Sequence, residues 1–220
     1  MILYVNGDSH SVGHGINKEC GMSHEDPRYE LIKQAPHPEN FKDSFGYQIA
    51  ENLKLSLVCQ AASGSSIDRC LRVTKQFVFQ TNKNIFLLLG LPALNREEWY
   101  YQNKWWQITS GDAGRYPVEL RTRFKNWLLT HDTAEYQLQR VNIVTKKIQQ
   151  LESWLANQQI PFIIFSTVDS IPNIDFPIYH SWLVGQGIGP DQWQHFKLDG
   201  HTAWANYLTP LINDIICKRR

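Results

Sequence analysis

The sequence predicts an α/β fold built on a parallel sheet, and three observations carry that prediction. Four short apolar runs, at residues 2–5, 55–59, 85–89 and 160–166, have the length of buried strands and are bounded by turn-forming residues. Segments with helical spacing of apolar residues lie between them. The order strand–helix, four times over, is what crossover connections turn into a parallel sheet with helices on both faces. The 220 residues suit one domain, and no linker divides them.

In chain order, the run 2–5 (ILYV) leads into Asn6-Gly7-Asp8-Ser9-His10-Ser11, a small-residue turn that presents a serine. It does so at the carboxyl end of the first strand, where open α/β sheets bind ligands. Residues 16–40, rich in Gly, Pro, His and charge, are expected to form a long loop or lid. Residues 41–53 place Phe45, Ile49, Ala50 and Leu53 on one helical face. The strand 55–59 (LSLVC) and the turn 60–66 (QAASGSS) precede a helix at 67–79, which Ser65 or Ser66 caps and Asp68 favours in its first turn. The strand 85–89 (IFLLL) ends at Gly90.

Residues 91–116 form an aromatic-rich insertion over the same sheet edge as Ser9. It reads as a substrate wall that stacks on a sugar ring, or as a small subdomain or oligomer contact burying its own aromatics. Residues 117–129 are helical, and 133–158 form an amphipathic helix with Tyr136, Leu138, Val141, Val144, Ile148, Leu151 and Leu155 among its apolar positions. The strand 160–166 (IPFIIFS) follows, and a helix at 204–218, allowing a break at Pro210, closes the chain. This pattern is that of a flavodoxin-like three-layer α/β/α sandwich with four to five parallel strands.

Composition excludes several classes. Hydrophobic residues make up 42% and charged residues 20%, as in a soluble protein with a core. The net charge of +1 provides no field to recruit nucleic acid or an anionic membrane. No run approaches the ~18 apolar residues of a membrane span, and no secretory leader is visible, so a cytoplasmic location is expected. Cys20, Cys59, Cys70 and Cys217 are scattered and read as reduced thiols. His10 and His14 have the spacing of a helical metal pair but lie in a glycine-rich turn with no third ligand, so neither metal nor cofactor is expected. The oligomeric state is left open.

Gly7-Asp8-Ser9-His10-Ser11 resembles the first block of the SGNH (GDSL-type) hydrolases, which carry a nucleophilic serine just after the first strand of such a sandwich. The resemblance makes Ser9 the nucleophile, with Asp8 and His10 lining the pocket. Gly64 stands where the family's second block supplies a backbone oxyanion donor; read from the residues alone, it makes the turn. In the third block Pro92 occupies the position of the donor asparagine, and a proline has neither side-chain donor nor N–H. Asn95 is the nearest substitute. Arg96-Glu97-Glu98-Trp99 is similar to a variant third block with an Arg-Glu-aromatic run, though Arg96 and Glu97 also read as a surface ion pair.

In the last block His195, five residues before Gly200, aligns with the general base. Gln192 holds the place of the orienting aspartate and Asp191 precedes it, so Asp191 serves or Ser9 and His195 act as a dyad. Asp199-Gly200-His201 is the competing pair. The implied activity is hydrolysis of a short acyl or O-acetyl ester through an acyl-enzyme, the eight tryptophans suiting a carbohydrate carrier. An O-acyltransferase would use the same residues. Pro92 and Gln192 favour a second class, a non-hydrolytic module that binds a glycan or serves a structural role.

Overall fold

The computed structural model describes residues 1–17, 38–81, 84–109, 114, 116–131, 133–168, 171, 174–192 and 194–219. Ile2–Asn6 (β1), Ser56–Cys59 (β2), Ile85–Leu91 (β3) and Phe162–Ser166 (β6) form one parallel sheet in the order β2-β1-β3-β6. All seven residues of β3 are buried, as an apolar run flanked by strands on both sides requires. Alternation along the strands divides the core into two layers. Leu3, Val5, Phe86, Leu88 and Phe165 pack on Phe45–Leu53 (α3), Tyr179–Gly185 (α7) and Leu198–Cys217 (α8). Tyr4, Leu87, Leu89 and Ile164 pack on Ile67–Gln80 (α4) and Ala134–Asn157 (α6). The three-layer sandwich is thus as the sequence pattern predicts.

Several boundaries differ, each for a physical reason. Ser9–Val12 (α1) is a single turn. The helix expected over 41–53 is interrupted: Phe41 ends the single turn Pro38–Phe41 (α2), and α3 starts afresh behind Ser44, whose Oγ accepts from Tyr47 N–H. The closing helix begins at Leu198, not 204, and runs through Pro210. Its polar first turn hides it from a search for apolar spacing. That turn is nevertheless anchored, because a side chain on Gly200 would meet Phe196 Cβ at 2.6 Å. In α6 Leu138 is exposed and Arg140 is buried, held by Asp68 and Glu97. Of the two serines offered as caps for α4, Ser66 accepts from Arg69 N–H.

The third strand continues through Gly90 to Leu91, so Gly90 does not end it. A Cβ there would stand 2.5 Å from Ser11 Oγ and 2.8 Å from Phe165 Cζ. Gly90→Ala is therefore expected to cost about 1–3 kcal/mol, as overpacking does in a full core. It would be read as a lower urea midpoint at unchanged slope, and an unchanged midpoint would contradict this packing.

The insertion contains a hairpin, Glu97–Tyr101 (β4) and Lys104–Ile108 (β5), turned by Gln102 and Asn103 with φ of 49° and 57°. Trp99 and Ile108 pack with Tyr116, Leu120 and Phe124, the last two on Val118–His131 (α5). Tyr100 and Trp105 face each other across the hairpin and are exposed. Cys59 and Cys70 are free thiols. The expected loop at 16–40 lies largely outside the described residues, as does Cys20. Among the described residues no helix is long and apolar enough to cross a membrane.

Candidate active site

The serine stands where β1 gives way to its turn. Asn6 is fully buried, with Nδ2 within 3.1 Å of Tyr4 Oη, Cys70 O and Thr74 Oγ1, and its Oδ1 accepts from Gly7 N–H, which locks the strand end. Only glycine fits at position 7, since a Cβ would lie 2.3 Å from Ser11 Oγ and 2.6 Å from Gly90 O. Asp8 caps α1 by accepting from His10 N–H, and Gly13, in the left-handed region, ends it. Ser9 is the first residue of that turn and is 6% exposed.

Asp8 is wholly buried and serves as a hub for three loops. Its Oδ1 accepts from His10 N–H, and its Oδ2 accepts from Arg96 Nη1 at 2.9 Å and Thr167 Oγ1 at 3.0 Å. Arg96 also donates to Ser65 O at 3.4 Å, and Thr167 lies within 3.0 Å of Leu91 O. The surface pairing of Arg96 with Glu97 is therefore replaced by an inward one. Glu97 meets Arg140 and Tyr136 instead, and Arg140 donates to Leu94 O and Arg96 O, fixing the loop that carries Arg96.

His195 packs against the same turn from the other side. A side chain on Gly15 would lie 3.4 Å from His195 Cβ. Its ring stacks on His14 at 4.5 Å and faces His10 at 5.0 Å. Asp191 lies beside it, but its Oδ1 accepts from the His195 backbone N–H at 2.9 Å, closing the loop, while Asp191 N–H donates back to His195 O. His195 Nδ1 is buried without a hydrogen-bond partner. Burial, then the neighbouring imidazoles His10 and His14, push its pKa down to about 3, so the ring is neutral at physiological pH. Burial lowers His10 as well.

The competing histidine is differently occupied. His201 is buried in the first turn of α8, its Nδ1 accepts from Phe45 N–H at 3.3 Å, and its ring stacks on Phe45. Burial pushes its pKa to about 3. Gly64 has φ of 72°, a conformation that favours glycine, in a loop tied to the serine turn by Ala62 N–H donating to Gly7 O and by His14 Nδ1 with Ser63 Oγ at 3.2 Å. Asn95 is exposed in the turn before β4. Among the described residues no group of three His, Cys, Asp or Glu could hold a metal ion.

No family model matches the sequence, and no curated protein is significantly similar to it. Solved structures are. A carbohydrate esterase whose active site displays divergent catalytic and non-catalytic binding functions matches with a TM-score of 0.50 at 16% identity, over 97% of this chain and 64% of that one. The chain has the SGNH-hydrolase fold. This chain spans less than two thirds of that esterase's length. A family two carbohydrate esterase from Cellvibrio japonicus matches at 13% identity and TM-score 0.46, over 100% of this chain and 62% of that one. A lipolytic protein of the G-D-S-L family from Veillonella parvula DSM 2008 matches at 13% and 0.43, over 97% and 98%.

Within this SGNH fold, sequence reasoning passed over Thr167, Arg140 and the stacking of His14 on His195. Thr167 directly follows β6, so its place at the carboxyl edge of a strand was a usable signal. Arg140 occupies an apolar face of α6, and its partners lie 72 and 43 residues away in sequence, where no local pattern reports them.

Proposed function

We propose that the chain is a serine ester hydrolase that acts through an acyl-enzyme on short acyl esters. The observation that supports this reading is that His195 packs on His14, His10 and Gly15, beside the turn that begins at Ser9 at the carboxyl edge of an SGNH-type sheet. In this reading Ser9 Oγ attacks the acyl carbon while neutral His195 takes its proton. The backbone N–H groups of Ser9 and Gly64 receive the charge that develops on the carbonyl oxygen. His195 returns the proton to the leaving oxygen, and water, deprotonated by His195, then releases the acid and restores Ser9. An acceptor alcohol in place of water would make the same site an acyltransferase. The hairpin meets the Gly64 loop where Ser66 N–H donates to Gln107 Oε1, and Tyr100 and Trp105 lie on that hairpin face. This supports an O-acetylated carbohydrate as the substrate class.

The test is a fluorophosphonate probe together with a short-chain aryl ester. Wild type is expected to label and turn over, Ser9→Ala to do neither, and His195→Ala to lose about 10²–10⁴-fold in turnover. Full activity in Ser9→Ala would sink the proposal. A second reading, a glycan-binding module without hydrolysis, draws on the partnerless His195 Nδ1 and on an Asp191 carboxylate turned to the backbone. Glycan-array binding that survives Ser9→Ala, with no turnover in wild type, would establish it instead.

A further inference from the structure

The ring of His195 lies against two other imidazoles, His10 and His14, and one of these has further ties. His14 stacks on His195 with ring centroids 4.5 Å apart and planes 29° apart. Its backbone N–H donates to Ser9 O at 3.0 Å, and its Nδ1 is 3.2 Å from Ser63 Oγ, one residue before Gly64. One side chain and its backbone thus touch the base, the nucleophile's segment and the loop assigned to the oxyanion. In a Ser-His-Asp triad a carboxylate holds the base and stabilises the imidazolium that forms. Here the carboxylate of Asp191 accepts from the His195 backbone, and no hydrogen bond reaches His195 Nδ1.

We infer that His14 is a positioning residue that holds the base in place by ring stacking, with Ser63 fixing the plane of the His14 ring. The inference rests on the serine-hydrolase reading above. Stacking restricts the His195 ring to one orientation beside the serine turn. His10 and His14 both oppose a charge on His195, so what His14 supplies is orientation, and a base ring free to turn from the serine is expected to cost roughly 3–30-fold in rate. His10 also lies against the His195 ring, with centroids 5.0 Å apart.

The experiment measures kcat and KM on a short-chain aryl ester, and the rate of Ser9 labelling by a fluorophosphonate. It compares wild type with His14→Ala, His14→Phe, Ser63→Ala and the His14→Ala/Ser63→Ala double variant, with thermal melts alongside. His14→Ala is expected to lower kcat and the labelling rate about 3–30-fold with KM nearly unchanged. His14→Phe keeps a stacking ring and should recover most of the loss. Ser63→Ala should cost less, and its cost should vanish in the His14→Ala background, because both act through one chain of contacts. Wild-type labelling and turnover in His14→Ala would overturn the inference, as would a rise in KM at constant kcat, or His14→Phe no better than His14→Ala. Should His14→Ala fail to fold, an unchanged kcat in Ser63→Ala, or a kcat in His14→Phe more than about 30-fold below wild type, would overturn it. A wild-type chain that does not label would defeat the hydrolase reading itself, a separate outcome.

Discussion

Arg96→Leu is expected to lower stability by about 3–5 kcal/mol, because it leaves the Asp8 carboxylate buried without its counter-charge. Asp8 is fully buried, so water cannot replace the lost guanidinium. The remaining donors, Thr167 Oγ1 and His10 N–H, satisfy oxygens but carry no charge. Arg96 keeps a 22% exposed side chain and can be solvated when its partner is removed. Asp8→Asn alone should therefore cost less, about 1–2 kcal/mol, its amide oxygen still accepting one of the two neutral donors. Combining the two changes removes both charges and should restore part of the loss. At about 2–4 °C per kcal/mol for a chain of this size, Arg96→Leu should melt roughly 6–20 °C below wild type, with the double variant above it. A drop under about 2 °C, or a double variant that melts lower still by the sum of the two, would show that the pair is not buried and coupled as described.

The same pair shows where sequence legibility ends. The placement of Ser9 follows from a short apolar strand and a turn that needs glycine at position 7, both local and therefore readable. The partner of Asp8 is 88 residues away and comes from a loop held by Arg140, which sits among apolar positions of α6. No periodicity encodes such a pairing. Gly90 misleads in a related way: a glycine after IFLLL looks like a stop, yet it is there for the close approach of Ser11 and Phe165 from other elements. The first turn of α8, Leu198-Asp199-Gly200-His201, carries no apolar stripe, and its helical state comes from Phe196 and Phe45 packing on it. Strand identity was legible because each strand is a short apolar run, most plainly β3, which is buried throughout, whereas the edge strand β2 is only half-buried. The polar contacts of the site were not legible, because they join residues from four loops.

Acid should unfold the chain early, and the buried histidines set the range. His201 titrates near 3 in the folded protein against an ordinary 6.5, because protonation would bury a charge and break the acceptor role of Nδ1 toward Phe45 N–H. A lowered histidine pKa means that, between about 6.5 and 3, the unfolded chain binds a proton that the native chain refuses. Stability is then fully present above pH 6.5 and falls as pH falls, by about 1.4 kcal/mol per unit for each such group. His195, also near 3, adds to the slope, and His10 acts in the same direction. Urea unfolding at pH 7 and pH 5 should therefore differ by about 2 kcal/mol for His201 alone. In His201→Asn the amide oxygen can still accept from Phe45 N–H but does not titrate, so its pH slope should be shallower by about that amount. The active site gives an independent readout, since a base neutral down to about pH 3 does not switch off at 6.5. Turnover per folded molecule should stay level from pH 7 to pH 5, and activity should fall only as the fold does. An ester turnover that titrates near 6.5 while the folded signal is flat would mean that His195 is solvated, or that another group is the base.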